Sequence, residues 1–481
     1  MKTYLILINN APQMALYHKG LGDCLKKKGH NVVYAITDNM PIESSGVSFK
    51  NENYYIFSNF FKINEFNSVV SEKYCSLNLW KTYFSDYDRY ISHYNLKTYD
   101  KVYYSNLISN LVCFFDSIIT KNNIDYILYE NLSNSFAYIA YEIGKANGVK
   151  YRGYVGSRLA NRFELHTEEY GIKDEFKVIF EQFNIGDLTE EDSANLDNYL
   201  SKYNGKEIPS YHSKTTKLSA DYSVVKRYFN KEKYKQTLAA LRESFKKRNE
   251  FKYNYQIFNP ISTLFLLFRR QMLKKYRTFN GKKYFEDIDI NERYFLFPLH
   301  MKPESSTSVL ARHYCDDIAV IKNIAFNLPF GTMLYVKEHF VNFGNLPISF
   351  YQELKKIPNV KLIDCNANTM ELVRNCEALI TLTSTMGLEA LLMNKKVILF
   401  GNVFYECHPN CIKMSNFDTL FEVLRDLEKP TQDLTLSKRF IGAYHKITFL
   451  GNVGYPIYET EDIEKFSNYF ISALSSYDEI K

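Results

Sequence analysis

Three stretches in the second half of the chain place ionisable and hydroxyl side chains directly after apolar runs. The first is Phe297-Pro298-Leu299-His300-Met301-Lys302-Pro303-Glu304-Ser305-Ser306-Thr307. A strand-like run stops, and a histidine, a carboxylate and three hydroxyls arrive before a helical pattern. Ser305–Thr307 can cap that helix, while His300 and Glu304 stand where a sheet delivers ligands. The second is Tyr335-Val336-Lys337-Glu338-His339. Lys337 or His339 at a strand end can stabilise the charge that develops on a phosphate leaving group. The third is Thr381-Leu382-Thr383-Ser384-Thr385-Met386-Gly387-Leu388-Glu389-Ala390. A strand passes through hydroxyls and Gly387 into a helix. Free N–H groups at that helix start, with the Ser384 and Thr385 hydroxyls, suit a phosphate. Glu389, one turn in, can accept hydrogen bonds from a ribose. Three such motifs at successive strand ends point to a nucleotide-phosphate site.

The first half offers a different set. Glu130-Asn131 follows an apolar run, and a carboxylate there can act as general base or nucleophile, or simply face solvent. Ser157-Arg158-Leu159-Ala160-Asn161-Arg162-Phe163 follows the next run. Its two arginines, Arg158 and Arg162, can hold an anionic sugar or phosphate of an acceptor. Asn10, in the loop Asn9–Gln13, borders the same expected cleft.

Metal and cofactor signals are poor. Asp86-Tyr87-Asp88 and Asp287-Ile288-Asp289 fit a D-x-D pattern, but such pairs recur by chance. Cys407-His408-Pro409-Asn410-Cys411 lacks the second ligand pair a zinc site needs. No metal and no cofactor are expected. P-loop, G-x-G-x-x-G and G-x-S-x-G motifs are absent, which weighs against an ATPase, a dinucleotide enzyme and a serine hydrolase.

These residues need sheets to hold them. Tyr4–Ile8 and Asn31–Ile36 read as strands around a helix Met14–Lys28 that stops at Gly29. Ile124–Tyr129, Ser135–Asn147 and Val149–Tyr154 repeat the pattern, with mostly helix between residues 60 and 120. Residues 185–285 are basic, poor in strand signals and broken by Pro209 and Pro260, with helices expected at Lys231–Lys247 and Ile261–Tyr276. From Arg293 the alternation returns. Strands are expected at Tyr294–Phe297, Thr332–Lys337, Val360–Ile363, Ala378–Leu382 and Lys396–Phe400. Helices are expected at Val309–Tyr314, Asp317–Phe326, Ile348–Lys356, Thr369–Asn375, Met386–Met393, Phe417–Leu427 and Glu461–Ser475. This is an α/β chain of two doubly wound, Rossmann-like lobes with a basic helical insertion and a C-terminal closing helix. The expected parts are 1–184, an acceptor-side lobe; 185–290, the insertion; 291–450, a nucleotide-binding lobe; and 451–481, a helix returning to the first lobe. Ligands in such sheets sit beyond the carboxyl ends of the strands.

The whole-chain numbers agree. A length of 481 residues suits two or three domains. Hydrophobic residues at 46% and charged residues at 24% are ordinary for a folded protein. The 40 Tyr and 36 Phe are core material first. No apolar run approaches the roughly 20 residues of a membrane span, and Tyr4–Ile8 is too short for a signal peptide. Eight scattered cysteines read as buried thiols, so a cytoplasmic location is expected. The net charge of +6 hides an imbalance: residues 214–283 hold 19 Lys and Arg against 4 Asp and Glu. That block implies an acidic partner, and the apolar Leu264–Phe268 running into Arg269 and Arg270 favours the anionic inner-membrane surface, with the protein peripheral to it. No nucleic-acid-binding module is visible.

The run Phe297–Thr307, then Tyr335–His339, then Ile380–Leu391 with Val397–Gly401, resembles the bacterial capsule polysaccharide biosynthesis proteins, which include the Kdo transferases of capsule and lipopolysaccharide assembly. The similarity is best over residues 290–405; in the first lobe Ser157–Phe163 resembles a family loop. The resemblance implies a GT-B fold and a metal-independent glycosyltransferase using a nucleotide-activated sugar, CMP-Kdo-like by preference, with a glycan or lipid-linked glycan as acceptor. It also implies that His300, Glu304, Lys337, His339, Ser384, Thr385 and Glu389 line the donor site. The chain departs from the family at Phe340, where proline usually follows Lys-Glu-His, and at Thr383 or Ser384, where glycine is frequent. Nucleotide-sugar epimerases, glycerophosphotransferases and non-catalytic assembly subunits share this architecture and stay open as alternatives.

Overall fold

The structure is a computed structural model. It describes residues 1–11, 14–39, 42, 45–64, 68–82, 86, 101–204, 242, 253–254, 260–289, 291–431, 433–452 and 460–480. Its strands are β1 (Thr3–Ile8), β2 (Asn31–Ile36), β3 (Asn53–Ile56), β4 (Tyr126–Tyr129), β5 (Lys150–Gly156), β6 (Arg162–His166), β7 (Tyr294–Pro298), β8 (Met333–Lys337), β9 (Val360–Ile363), β10 (Leu379–Thr381), β11 (Val397–Leu399), β12 (Cys411–Lys413) and β13 (Phe449–Leu450). The chain divides into two compact units: residues 1–172, 236–264 and 445–481, and residues 173–235 and 265–444. In this division residues 173–184 group with the second unit and residues 445–450 with the first.

In the first unit the strand order is β13-β6-β5-β4-β1-β2-β3. Strands β1 to β5 are all parallel, and β6 and β13 close the far edge antiparallel. Parallel strands are covered on both faces and therefore read as continuous apolar runs; Leu5–Ile8 are fully buried. The helix Met14–Lys27 stops at Gly29, whose φ of 83° suits a residue without Cβ. The helix Ser135–Ala146 is followed by Gly148 at φ 74° in the same way. The C-terminal helix Thr460–Ile480 packs on Met14–Lys27. It comes so close that a Cβ on Gly20 would lie 2.4 Å from Ile463 Cγ2.

One helix departs from the expectation that no segment could span a membrane. Val102–Asn122 has the length and apolar composition of a span. Its apolar side is nonetheless core: Leu107, Leu111, Phe114, Phe115 and Ile118 are buried, and the helix packs on Ser135–Ala146. Asp86, half of one D-x-D pair, is buried and accepts from Ser135 N at 3.2 Å. It serves a helix start; Asp88 lies outside the described residues.

In the second unit the sheet is wholly parallel, with order β12-β11-β10-β7-β8-β9. Counted from β7 as the first strand, this is the doubly wound order 3-2-1-4-5-6. Its chain direction switches between β7 and β10, and ligands of such sheets bind at that crevice. Phe295, Phe297, Leu334, Val336, Leu362, Ile380 and Ile398 fill the core beneath it.

Several elements differ from the sequence expectation. Val309–Tyr314 is not one helix: a single turn at Ser305–Ser308 is followed by a tight turn at Arg312–Tyr314. The reason is local. The Glu304 carbonyl accepts from the Thr307 and Ser308 hydroxyls, each at 3.0 Å, and from the Ser308 N–H, so helix starts four residues early. The basic insertion contains a helix Pro260–Gly281, longer than expected at both ends. Lys231–Lys247, apart from Arg242, lies outside the described residues. The helices Lys173–Gln182, Glu190–Asn204 and Leu434–Ile447 were not expected.

Candidate active site at the β7/β10 switch point

The loop after β7 and the loop after β10 are sewn together by one histidine. His300 is buried, 5% exposed. Its Nε2 lies 3.1 Å from the backbone N of Thr383 and 3.4 Å from Thr381 Oγ1. A backbone N–H can only donate, so Nε2 accepts and the ring proton sits on Nδ1. Nδ1 has no hydrogen-bond partner among the described residues. Burial, with help from Lys302 and His339, drives the His300 pKa down to about 3. At neutral pH this side chain is therefore an uncharged N–H donor, fixed in one tautomer. The sequence placed His300 among the catalytic candidates where a sheet delivers ligands; desolvation excludes a standing positive charge there.

The β10 loop is held from several sides. Thr381 Oγ1 accepts from Ser384 N at 3.1 Å, and Thr383 Oγ1 donates to Ser306 O at 2.9 Å. Ser384 is the N-cap of the helix Thr385–Leu392, its hydroxyl accepting from Met386 N at 3.2 Å. Thr385 opens the helix half-buried beside it. Tyr405 donates its hydroxyl to Ser384 O at 2.6 Å and lies across the first turn. A Cβ on Gly387 would come 2.5 Å from that hydroxyl. Gly387 thus makes room for Tyr405. Glu389 is buried within the same helix, 1% exposed. The remaining N–H groups of the first turn keep the anion-attracting character of a helix start.

At the end of β8 the charges are less free than their spacing suggested. Lys337 is buried, and its Nζ donates to Cys365 O at 2.9 Å. Burial lowers its pKa. Glu338 is buried, accepting from Tyr351 Oη at 2.5 Å and from His339 N at 2.8 Å. Desolvation pushes its pKa up to about 7. His339 is half-buried with Nδ1 unpartnered among the described residues, and burial followed by Lys337 lowers its pKa. His339 offers a neutral donor rather than a cation. Glu304 is exposed and accepts from Ser306 Oγ at 2.8 Å, and its side chain makes no cap hydrogen bond to the short helix after it. Lys302 adds its field to His300, but its ammonium is 2.9 Å from Asp317.

The first unit holds a second loop cluster at its own switch point, between β1 and β4. Asn9 Nδ2 donates to the Tyr129 hydroxyl, and Asn134 Nδ2 reaches the same oxygen at 3.2 Å. Asn10 Nδ2 donates to Asp38 and lies 3.3 Å from Thr37 Oγ1. Glu130 is half-buried just past β4, and its carbonyl accepts from the Tyr151 hydroxyl. Arg158 is exposed. Arg162 is a correction. Its Nε donates to Thr448 Oγ1 at 2.9 Å and its Nη2 to His445 O at 2.9 Å and to Thr448 O. The guanidinium is spent on the carbonyls that end the helix Leu434–Ile447, as the helix dipole favours. It is unsuited to an acceptor anion.

Among the described residues no three His, Cys, Asp or Glu side chains come together as a metal site. His408 Nδ1 accepts from Asn410 N at 3.0 Å, so the Cys407–Cys411 stretch folds on itself.

Residues 206–408 match the family model of the capsule polysaccharide biosynthesis proteins. Over that stretch the chain is similar to this family. The matched stretch contains β7 to β11 and with them His300, Glu304, Lys337, His339 and Ser384–Glu389. No curated protein matches. Among solved structures the chain is similar to the KpsC beta Kdo 2,7 transferase of Thermosulfurimonas dismutans, at 11% identity, TM-score 0.33, over 74% of this chain and 88% of that one. It is also similar to the UDP-GlcNAc 2-epimerase of Methanocaldococcus jannaschii, at 12% identity, TM-score 0.25, over 92% and 99%. A third is a glycosyltransferase from Rickettsia africae ESF-5, at 11% identity, TM-score 0.26, over 93% of each chain.

Sequence reasoning named Thr381 and Thr383 only as members of the hydroxyl-rich run, without a role, and missed Tyr405. Gly387 was the available signal: a glycine one turn into a helix announces something large lying against it.

Proposed function

We propose that the chain is a GT-B-type glycosyltransferase that moves a sugar from a nucleotide-activated donor to a growing capsule or lipopolysaccharide glycan. The observation that carries this reading is the His300 Nδ1–H: buried, lacking a partner among the described residues, and fixed at the switch point of a 3-2-1-4-5-6 sheet. A buried donor without a partner costs about 1–3 kcal/mol, which a ligand oxygen would return. Beside it stands the start of the helix Thr385–Leu392, so the ligand oxygen we assign is a phosphate oxygen of the donor. The match to capsule polysaccharide biosynthesis proteins supports a glycan product.

The chemistry follows from charge. As the bond from the anomeric carbon to the phosphate oxygen breaks, negative charge grows on the phosphate. Hydrogen bonds from His300, the helix start and His339 strengthen as it does. The acceptor hydroxyl loses its proton as it attacks, and Glu130 is our candidate for the base, or for a nucleophile if the transfer is two-step. We favour a CMP-Kdo-like donor, metal-independent transfer and a cytoplasmic site of action, where nucleotide sugars are made. Asn10 and Arg158 remain our candidates for the acceptor side.

The test is product analysis with CMP-Kdo, UDP-sugars and GDP-sugars, each with and without glycan acceptor and in EDTA. Acceptor-dependent release of free nucleotide in EDTA is expected. Conversion of the donor sugar without any acceptor would make the chain an epimerase instead. Glu130→Gln should lower kcat by roughly 100-fold or more and leave nucleotide affinity intact; unchanged turnover would remove Glu130 from the mechanism.

A further inference from the structure

The helix Pro260–Gly281 has two opposite faces. At about 100° per residue, Lys274, Thr278 and Gly281 fall on one side, with Arg277 at its edge. This side is packed. Lys274 Nζ donates to Val341 O at 3.1 Å, and Arg277 donates to the Asn345 carbonyl. A Cβ on Gly344 would lie 2.4 Å from Thr278 Oγ1, and one on Gly281 would lie 3.3 Å from Phe343. The helix is thus mounted firmly on the loop that follows His339.

The opposite side carries Phe265, Met272, Tyr276 and Phe279, spaced i, i+7, i+11 and i+14. These four fall within about 60° of one another around the axis. They are 65%, 49%, 61% and 81% exposed. A continuous apolar row left in solvent marks an interaction surface. Arg269 and Lys275 flank the row, and Lys282 and Lys283 follow it. Residues 260–283 contain seven Lys and Arg and no Asp or Glu.

We propose that this face of the helix lies on an anionic membrane surface, with the four apolar side chains inserted at the headgroup boundary and the flanking bases against lipid phosphates. The charge pattern decides between occupants. A second copy of the same face would bring base against base. An anionic bilayer matches both the apolar row and its wholly basic rim. In the sequence the same sign prevails over residues 214–283, with 19 Lys and Arg against 4 Asp and Glu.

The test is co-sedimentation of the full chain with sucrose-loaded vesicles of phosphatidylcholine alone or with about a quarter phosphatidylglycerol. Binding is expected on the anionic vesicles only, falling as salt rises. The variant F265S/M272S/Y276S/F279S should bind at least tenfold more weakly, and R269Q/K275Q about tenfold more weakly. Unchanged thermal midpoints would show that both variants fold. Three results would overturn the proposal. The chain binds no vesicles; the four-serine variant binds as well as the parent, so that basic residues elsewhere suffice; or the parent self-associates through this row and the variant does not. None of these outcomes depends on the donor chemistry.

Discussion

His300 shows how one hydrogen bond settles a side chain's role. The Thr383 N–H holds Nε2, burial keeps the ring neutral, and the proton is left on Nδ1 to donate. Glu338 is the site's other telling residue. Its pKa is raised from 4.5 to about 7, mainly by burial. A carboxyl with a raised folded-state pKa contributes its stability in the protonated form. That contribution is complete below about pH 4.5 and is lost as pH rises through 7. A shift of this size corresponds to roughly 3 kcal/mol. Glu338→Gln, which mimics the protonated form, should flatten the fall in Tm between pH 5 and 8 and raise Tm at pH 8. An unchanged pH profile would mean that Glu338 titrates as an ordinary carboxylate. The sequence showed Glu338 only as one of three charged residues at a strand end. Its burial depends on Tyr351, which another element supplies.

Among the elements, the parallel strands were the most legible. Asn31–Ile36 and Val360–Ile363 were expected at the observed bounds, because strands covered on both faces leave unbroken apolar runs. The antiparallel strands left weaker traces. In β6, Glu164 and His166 pair with each other at 2.7 Å, and the segment reads as a polar loop rich in arginine. Arg162 misled for a related reason: its partners at His445 and Thr448 lie 283 and 286 residues away. At the candidate site, glycines set how closely the elements approach. A Cβ on Gly401 would sit 2.3 Å from Leu382 O and 2.4 Å from Thr383 Cγ2. Backbone cannot swing aside as a side chain can. Gly401→Ala should therefore cost about 1–3 kcal/mol of stability and weaken nucleotide binding by displacing Thr383. Gly387→Ala meets only the far end of Tyr405 and should cost less. Equal losses of Tm for the two would contradict this packing argument.

At the scale of the whole molecule, the two units each carry a parallel sheet whose strands run 3-2-1-4-5, and each gathers its polar loops at the switch point. Alternation of apolar runs and helices along the chain was enough to foresee two such sheets. A helix from residue 451 was expected to return to the first lobe; the boundary differs, with residues 445–481 grouping with the first unit, where Gly20 lies close against Ile463. The central claim is that the β7/β10 crevice binds the phosphate of a nucleotide through His300. The most direct measurement is a thermal-shift panel with CMP, UDP, GDP, CDP and ADP, with and without Mg²⁺, on the parent chain and on His300→Ala. A ligand bound only by the folded state at 100 times its Kd adds about 2.7 kcal/mol. We predict a clear upward shift with one nucleotide class, undiminished without Mg²⁺, and a shift at least halved in His300→Ala. No shift with any nucleotide, or an equal shift in the variant, would contradict the account.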